Sequence, residues 1–240
     1  KIGGAEFPGD LFLYGISIDS NCFFNAYQST GTPTNYIDIV DAHFVNRLSA
    51  RYQKGNALRL KNINMFGEGS FNSHRTNLFT FKTPEPDLVS GIRIANTTNP
   101  FYVHAPFGGY TAYDSFIKNF DYIVRIANTG SPTVTLVDLD PESDFIGSVN
   151  YIDRSGGTGG ELLFKTSWFP YASVSGTYEE GAAYRVINTL SSEVAIGTTA
   201  TVPAVTEIEW RRVTATNVAT DYSDFSVIIV KYGFQTQRFT

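Results

Sequence analysis

The densest set of ionisable groups is Asp138-Leu139-Asp140-Pro141-Glu142-Ser143-Asp144, where alternate acids at the end of a strand present carboxylate oxygens at a spacing suited to Ca²⁺. The run resembles the start of an EF-hand loop, but Ser143 stands where the sharp turn wants Gly, and Val149 where a bidentate Glu belongs. Two readings stay open: Asp138, Asp140, Glu142 and Asp144 hold calcium, or they form a solvated acidic turn. A second pair, Glu207 and Glu209, flanks Ile208 ahead of Trp210 and so shares one face of a strand. Two carboxylates there suit glycoside hydrolysis only if a substrate groove crosses that face. An exposed strand followed by Arg211-Arg212 explains the pair without a substrate.

Other catalytic signatures are missing. His43, His74 and His104 are far apart, none belongs to a His-Glu-x-x-His pair, and there is no Gly-x-Ser-x-Gly elbow. Gly67-Glu68-Gly69 lacks the third glycine of a phosphate loop, and the glycines of 156–160 lead into a strand with no Gly-Lys-Ser/Thr, so both read as turns. No catalytic or cofactor-binding residue is assigned, and calcium is the one metal for which the sequence offers ligands. Cys22 is alone, which excludes an intrachain disulfide framework and a cysteine zinc site. Asn96-Thr97-Thr98 is a glycosylation sequon, meaningful only on a eukaryotic secretory route.

The elements that must position these groups read mostly as strands. Alternating or β-branched and aromatic runs fall at 11–18, 58–66, 78–83, 88–95, 122–127, 133–139, 145–152, 161–166, 183–187, 206–214 and 225–232, separated by Gly, Asn, Ser, Thr and Pro clusters. Short strands at this spacing predict an all-β fold, and we read it as an antiparallel jelly-roll β-sandwich with one or two short helices. The main helix is expected where Ile37, Val40, Phe44, Leu48 and Tyr52 recur at spacings of three and four, with Asp38 and Asp41 early, Arg47, Arg51 and Lys54 late, and Gly55 as a stop. A shorter one is expected at 114–120. The near-repeats Ile92-Arg-Ile-Ala-Asn-Thr97, Val124-Arg-Ile-Ala-Asn-Thr129 and Tyr184-Arg-Val-Ile-Asn-Thr189 read either as a duplicated strand-and-turn unit or as a common local solution. Their spacing is too irregular for a solenoid. In both readings Arg93 and Arg125 point away from their Ile neighbours.

With 240 residues, one large β domain or two small ones are expected. The division adopted is an N-terminal arm or first strand over 1–35 and a single jelly-roll domain over 36–240. Lys+Arg 18 against Asp+Glu 23 gives a net charge of −5, and charged residues are only 17% of the chain, which argues against a strongly nucleic-acid-binding module. Hydrophobic residues at 42%, with 14 Tyr and 19 Phe, supply a core and exclude intrinsic disorder. The longest β-branched run, Val227-Ile228-Ile229-Val230, is far shorter than a bilayer span, so the chain reads as soluble with no membrane partner. It opens Lys-Ile-Gly-Gly with Met65 its one methionine, which reads as proteolysis or trimming of the N-terminus.

Three segments carry a family resemblance. Phe44-Val-Asn-Arg-Leu-Ser-Ala-Arg-Tyr52 is similar to the Leu- and Arg-rich helix of picorna-like virus capsid proteins. Phe145-Ile-Gly-Ser-Val-Asn-Tyr151 resembles their aromatic-x-Gly-Ser strand entry, and Asp221-Tyr-Ser-Asp-Phe-Ser226 resembles the Asp-Phe pattern before their last strand. Ile146 replaces the usual Arg, and Val202-Pro203 stands in for a Pro-Tyr-rich segment. The resemblance implies a jelly-roll subunit cut from a polyprotein and located in the virion. Its partners would be other capsid subunits in an icosahedral shell, with weak genome contact and an unspecified host receptor. Few charges and many polar and aromatic residues suit such contacts independently. The alternative is a phage fibre or secreted adhesin domain binding surface glycans, with exposed Tyr and Trp168 or Trp210 stacking on sugars.

Overall fold

Alternation along a strand fixes which side chains face inward but not which strand lies next door, and it is in the neighbours that this fold departs from expectation. The computed structural model describes residues 11–18, 25–27, 36–45, 50–53, 57–66, 79–81, 88–97, 99–104, 109–127, 130–140, 143, 150–174, 177–190, 192–200, 205–222, 224–233 and 237–239. Every regular element among them is a β-strand. They divide into two compact units, the first made of residues 1–163 and 213–218, the second of 164–212 and 219–240.

The first unit is a β-solenoid. Its successive coils are β1 (Leu11–Tyr14), β2 (Ser17–Ile18) and β3 (Asn25–Tyr27); β4 (Tyr36–Val45) and β5 (Ala50–Gln53); β6 (Ala57–Phe66) and β7 (Phe79–Phe81); β8 (Leu88–Thr97) and β9 (Phe101–His104); β10 (Gly109–Tyr113), β11 (Phe116–Phe120) and β12 (Tyr122–Ala127); β13 (Thr133–Val137) and β14 (Asn150–Arg154). Each coil places a strand first in one parallel ladder, where β1, β4, β6, β8, β10 and β13 are successive neighbours, and then in a second, ordered β3, β5, β7, β9, β12, β14. Among the described residues the pairings within these ladders are parallel, as in Ile39↔Leu60↔Val89 and Phe79↔Phe101↔Val124. The all-β expectation stands. The antiparallel jelly-roll sandwich does not: the strands here are stacked coils, each returning parallel to its predecessor by way of the other ladder.

Both expected helices are strands. The segment expected to be the main helix forms β4 and β5, and 116–120 forms β11. The reason is one left-handed residue per coil. Gly15, Asp41, Asn62, Gly91, Asp114 and Asp138 all have φ between 51° and 64° and recur roughly 25 residues apart. Register stacks them: Asp41 and Asn62 lie between the pairs Val40↔Lys61 and Ala42↔Ile63, and Gly91 and Asp114 follow Ser90↔Tyr113. The Asn62 amide donates to Asp41 Oδ1 at 2.8 Å. The same bonds bridge the bend at both ends of the stack, Gly15 N–H to Val40 O with His43 N–H to Ile16 O, and Asp114 N–H to Val137 O with Asp140 N–H to Ser115 O. The bend shifts the inward positions by one, so buried residues stand three apart: Ile39 and Ala42, Leu60 and Ile63, Val89 and Ile92. A spacing of three inside an apolar run mimics a helical face.

The core lies between the ladders, with Ile92, Ile94, Phe101, Ile117, Val124, Ile126 and Leu136 fully buried. Gly109 allows closure of β10 on β13, since its φ is +123° and a Cβ there would lie 1.6 Å from Thr133 O. On β14, the outermost strand of the second ladder, Asn217 supplies a substitute neighbour: its Oδ1 accepts the Ile152 N–H at 2.7 Å and its Nδ2 donates to Ile152 O at 2.9 Å. A side-chain amide thus satisfies backbone groups on an edge strand.

The second unit contains antiparallel strand pairs. It contains β15 (Glu161–Trp168) from Phe164 onward, the hairpin of β16 (Ala172–Val174) and β17 (Thr177–Glu179), then β18 (Ala183–Ile187), β19 (Glu193–Thr198), β20 (Thr206–Thr214) up to Arg212, β21 (Ala219–Asp221), β22 (Ser226–Val230) and β23 (Gln237–Phe239). One sheet has the order β19-β18-β22-β23, and β20 lies between β15 and β21. Tyr184, Val186 and Ile208 form its buried centre, with Trp168, Val194, Phe225, Val227 and Ile229 packed against them.

Candidate functional site

Lys165 on β15 and Glu207 on β20 are neighbours across adjacent strands, with Nζ to Oε2 at 3.1 Å. Glu209 lies on the same face two residues on, and Arg212 engages it with a guanidinium fork, Nε to Oε1 at 2.8 Å and Nη2 to Oε2 at 3.1 Å. Glu209 and Arg212 stand three apart on β20, and both are partly buried there. Opposite these pairs, the turn after β18 is held by Asn188, whose Oδ1 accepts the N–H groups of Leu190 and Ser192 at 3.0 and 2.9 Å. Val194 and Tyr222 complete the wall of a cavity of about 400 Å³ lying wholly in the second unit.

The structure thus gathers Glu207 and Glu209, singled out in the sequence, into one cavity, and adds Lys165, Asn188, Arg212 and Tyr222, which sequence reasoning missed. Arg212 was visible only as half of Arg211-Arg212. Those two part company: Arg211 turns to Asp221 and lies 5.3 Å from the Trp210 ring. Each carboxylate of the cavity faces a cation, so the lining carries two positive and two negative groups.

The acidic run is only partly described. Asp138 occupies the left-handed bend, and Asp140 lies 3.8 Å from Arg93. Ser143 is buried, its N–H bonded to Asp140 O and its Oγ accepting the Ile117 N–H at 3.1 Å. Ser143 therefore pins the turn against β11. Glu142 and Asp144 lie outside the described residues, as do Cys22 and His74. Among the described residues no group of three or more His, Cys, Asp or Glu is placed to hold a metal ion.

Neither tryptophan is a free sugar platform. Trp168 packs edge-on against Tyr184 at 5.2 Å and Trp210 against Phe164 at 5.3 Å. Arg93 and Arg125 do face outward, Arg93 between buried Ile92 and Ile94 and Arg125 between buried Val124 and Ile126: Arg93 lies 4.5 Å from the Phe116 ring on the next strand, and Arg125 pairs with Asp153 at 3.4 Å. The near-repeats around them occupy non-equivalent places, 92–97 in the first ladder, 124–127 in the second and 184–187 in the antiparallel sheet. The repeating unit is the coil with its left-handed residue, not that hexapeptide.

On the first ladder's outer face, Asp38 is buried beneath Tyr14 and Arg59. It accepts from the Tyr14 hydroxyl at 2.7 Å and from Arg59 Nε at 3.0 Å, and also pairs with Arg59 Nη2. The Arg59 hydrogen bonds hold the Asp38 carboxyl below its ordinary range, and the bond to Asp38 raises the Tyr14 hydroxyl.

No protein-family model, no curated protein and no solved structure matches this chain.

Proposed function

We propose that the chain is a non-enzymatic module of a surface fibre or adhesin, carried by a virion or a cell, in which the solenoid serves as a stiff support and the protein binds surface glycans. The supporting observation is the solenoid itself. Coils stacked in register form a quasi-one-dimensional scaffold whose outer faces are long, regular and available for contact. Low charge and the exposed aromatics Phe12, Tyr14, Phe169, Tyr171 and Tyr232 fit a contact protein. The icosahedral capsid-subunit reading leaned on a jelly roll and draws no support from this fold. A virion role remains in the form of a fibre or spike.

The test is a glycan array probed with the whole chain, with electron microscopy of the native source using antibody against the chain. Reproducible glycan binding and label on projecting fibres are expected. Absence of binding to every glycan, or label confined to a smooth closed shell, overturns the reading.

A further inference from the structure

The glycan-binding reading leaves open where on the protein a sugar would sit and what kind of sugar it would be. Resting on that reading, the geometry points to the cavity between Glu207, Glu209 and the Asn188–Ser192 turn as a saccharide subsite for a neutral, hydroxyl-rich sugar of one or two rings.

Three features of the cavity select this class. The first is charge. Lys165 offsets Glu207 and Arg212 offsets Glu209. An anionic ligand would have to compete with the two carboxylates for their cations, and a cationic one with Lys165 and Arg212 for their carboxylates. A sugar hydroxyl both donates and accepts. A vicinal diol can give its protons to a carboxylate and take a hydrogen bond from the guanidinium or ammonium beside it, leaving each ion pair in place. Such charge-assisted bonds are the stronger kind.

Preorganisation is the second. The Arg212 fork on Glu209 and the cross-strand pair of Lys165 with Glu207 hold long side chains in one arrangement before any ligand arrives, which lowers the entropy cost of binding. Asn188 is 7% exposed and its Oδ1 is occupied by two turn N–H groups, so its Nδ2 is the side chain's remaining donor. The third is the mixture of wall types. Tyr222 contributes a half-exposed ring, suited to the C–H face of a pyranose, and Val194 an apolar patch. The volume of about 400 Å³ lies within the range of small-ligand sites.

The experiment uses the whole chain in saturation-transfer NMR and titration calorimetry. Its probes are methyl glycosides and disaccharides of glucose, galactose and mannose, set against matched uronate- and sialic-acid-bearing sugars. At least one neutral sugar should bind, with the acidic counterparts weaker. Glu209→Gln and Tyr222→Ala should each weaken it by about tenfold or more, while Val218→Ala, at an exposed residue of the first unit, leaves it unchanged. Amide shifts in the unsubstituted chain at 188–192 and 207–212 on adding sugar give the same answer should a variant fold poorly. Glycan binding on the array that survives both substitutions and leaves those amides unmoved overturns the subsite while leaving the adhesin reading intact. Preference for acidic sugars at these residues overturns the neutral-ligand assignment. No binding to any glycan overturns both.

Discussion

At the scale of single residues, the groups that matter most are those whose environment differs from what their type suggests. Asp38 is buried, yet its partners Tyr14 and Arg59 reach it from the neighbouring strands β1 and β6. Asp38→Asn should cost about 1–2 kcal/mol at neutral pH by weakening those bonds. Because the folded carboxyl titrates below its ordinary value of 3.8, its contribution is fully present above that pH and is lost as pH falls through the folded value. The gap in melting temperature between wild type and Asp38→Asn should therefore stay constant from neutral pH down to about 5 and close only below about 4. A gap that narrowed between pH 7 and 5 would contradict this account. Asp114 makes a different point. It is exposed but left-handed, with φ 51°. Asp114→Gly should be neutral or slightly stabilising, whereas Asp114→Val should cost about 1–3 kcal/mol by denaturant titration, since a β-branched residue fits that bend badly.

Elements are held by neighbours rather than by propensity. Gly109→Ala should be among the most damaging single changes, about 3 kcal/mol or more, because a Cβ would strike the Thr133 backbone and φ is unsuited to an L side chain. In the second unit, Trp168→Ala removes an edge-on ring from Tyr184 and should cost about 2–3 kcal/mol, less than a fully buried aromatic because Trp168 is half exposed. Most strands were legible in the alternation, including 58–66, 88–95 and 122–127. Residues 36–45 were not. A left-handed residue within an apolar strand moves the buried positions from two apart to three, and the pattern then imitates a helix. The usable signal was the recurrence of Gly, Asp or Asn two residues after one apolar residue and directly before another, as in Leu-Lys-Asn62-Ile, Val-Ser-Gly91-Ile and Leu-Val-Asp138-Leu.

For the whole molecule, the solenoid predicts how damage spreads. Contacts run mainly between successive coils, so a lesion at one end should loosen adjacent coils before distant ones. Asn217→Ala leaves the Ile152 backbone groups unsatisfied and places alanine at φ 58°, which should cost about 2–3 kcal/mol. Hydrogen exchange should accelerate first in β14 and β12, then β9, with β4 and β6 least affected. Uniform acceleration across all strands would mean the unit unfolds as one block. Asn217→Gly keeps the left-handed backbone while removing the amide, which separates the two contributions.

Read alone, the amino-acid order determined what is decided locally. It determined a strand-rich chain low in charge, without recognisable catalytic or phosphate-binding motifs, with Arg93 and Arg125 turned away from the isoleucines beside them. Side-chain alternation has the same period whether the next strand runs parallel or antiparallel, so it cannot choose between a sandwich and stacked coils. That choice, and the meeting of Lys165, Asn188, Glu207, Glu209, Arg212 and Tyr222 around one cavity, depends on pairings between residues far apart in the chain. The adjacency of β15 and β20 and the turn after β18 bring those groups together, and only the tertiary structure specifies either.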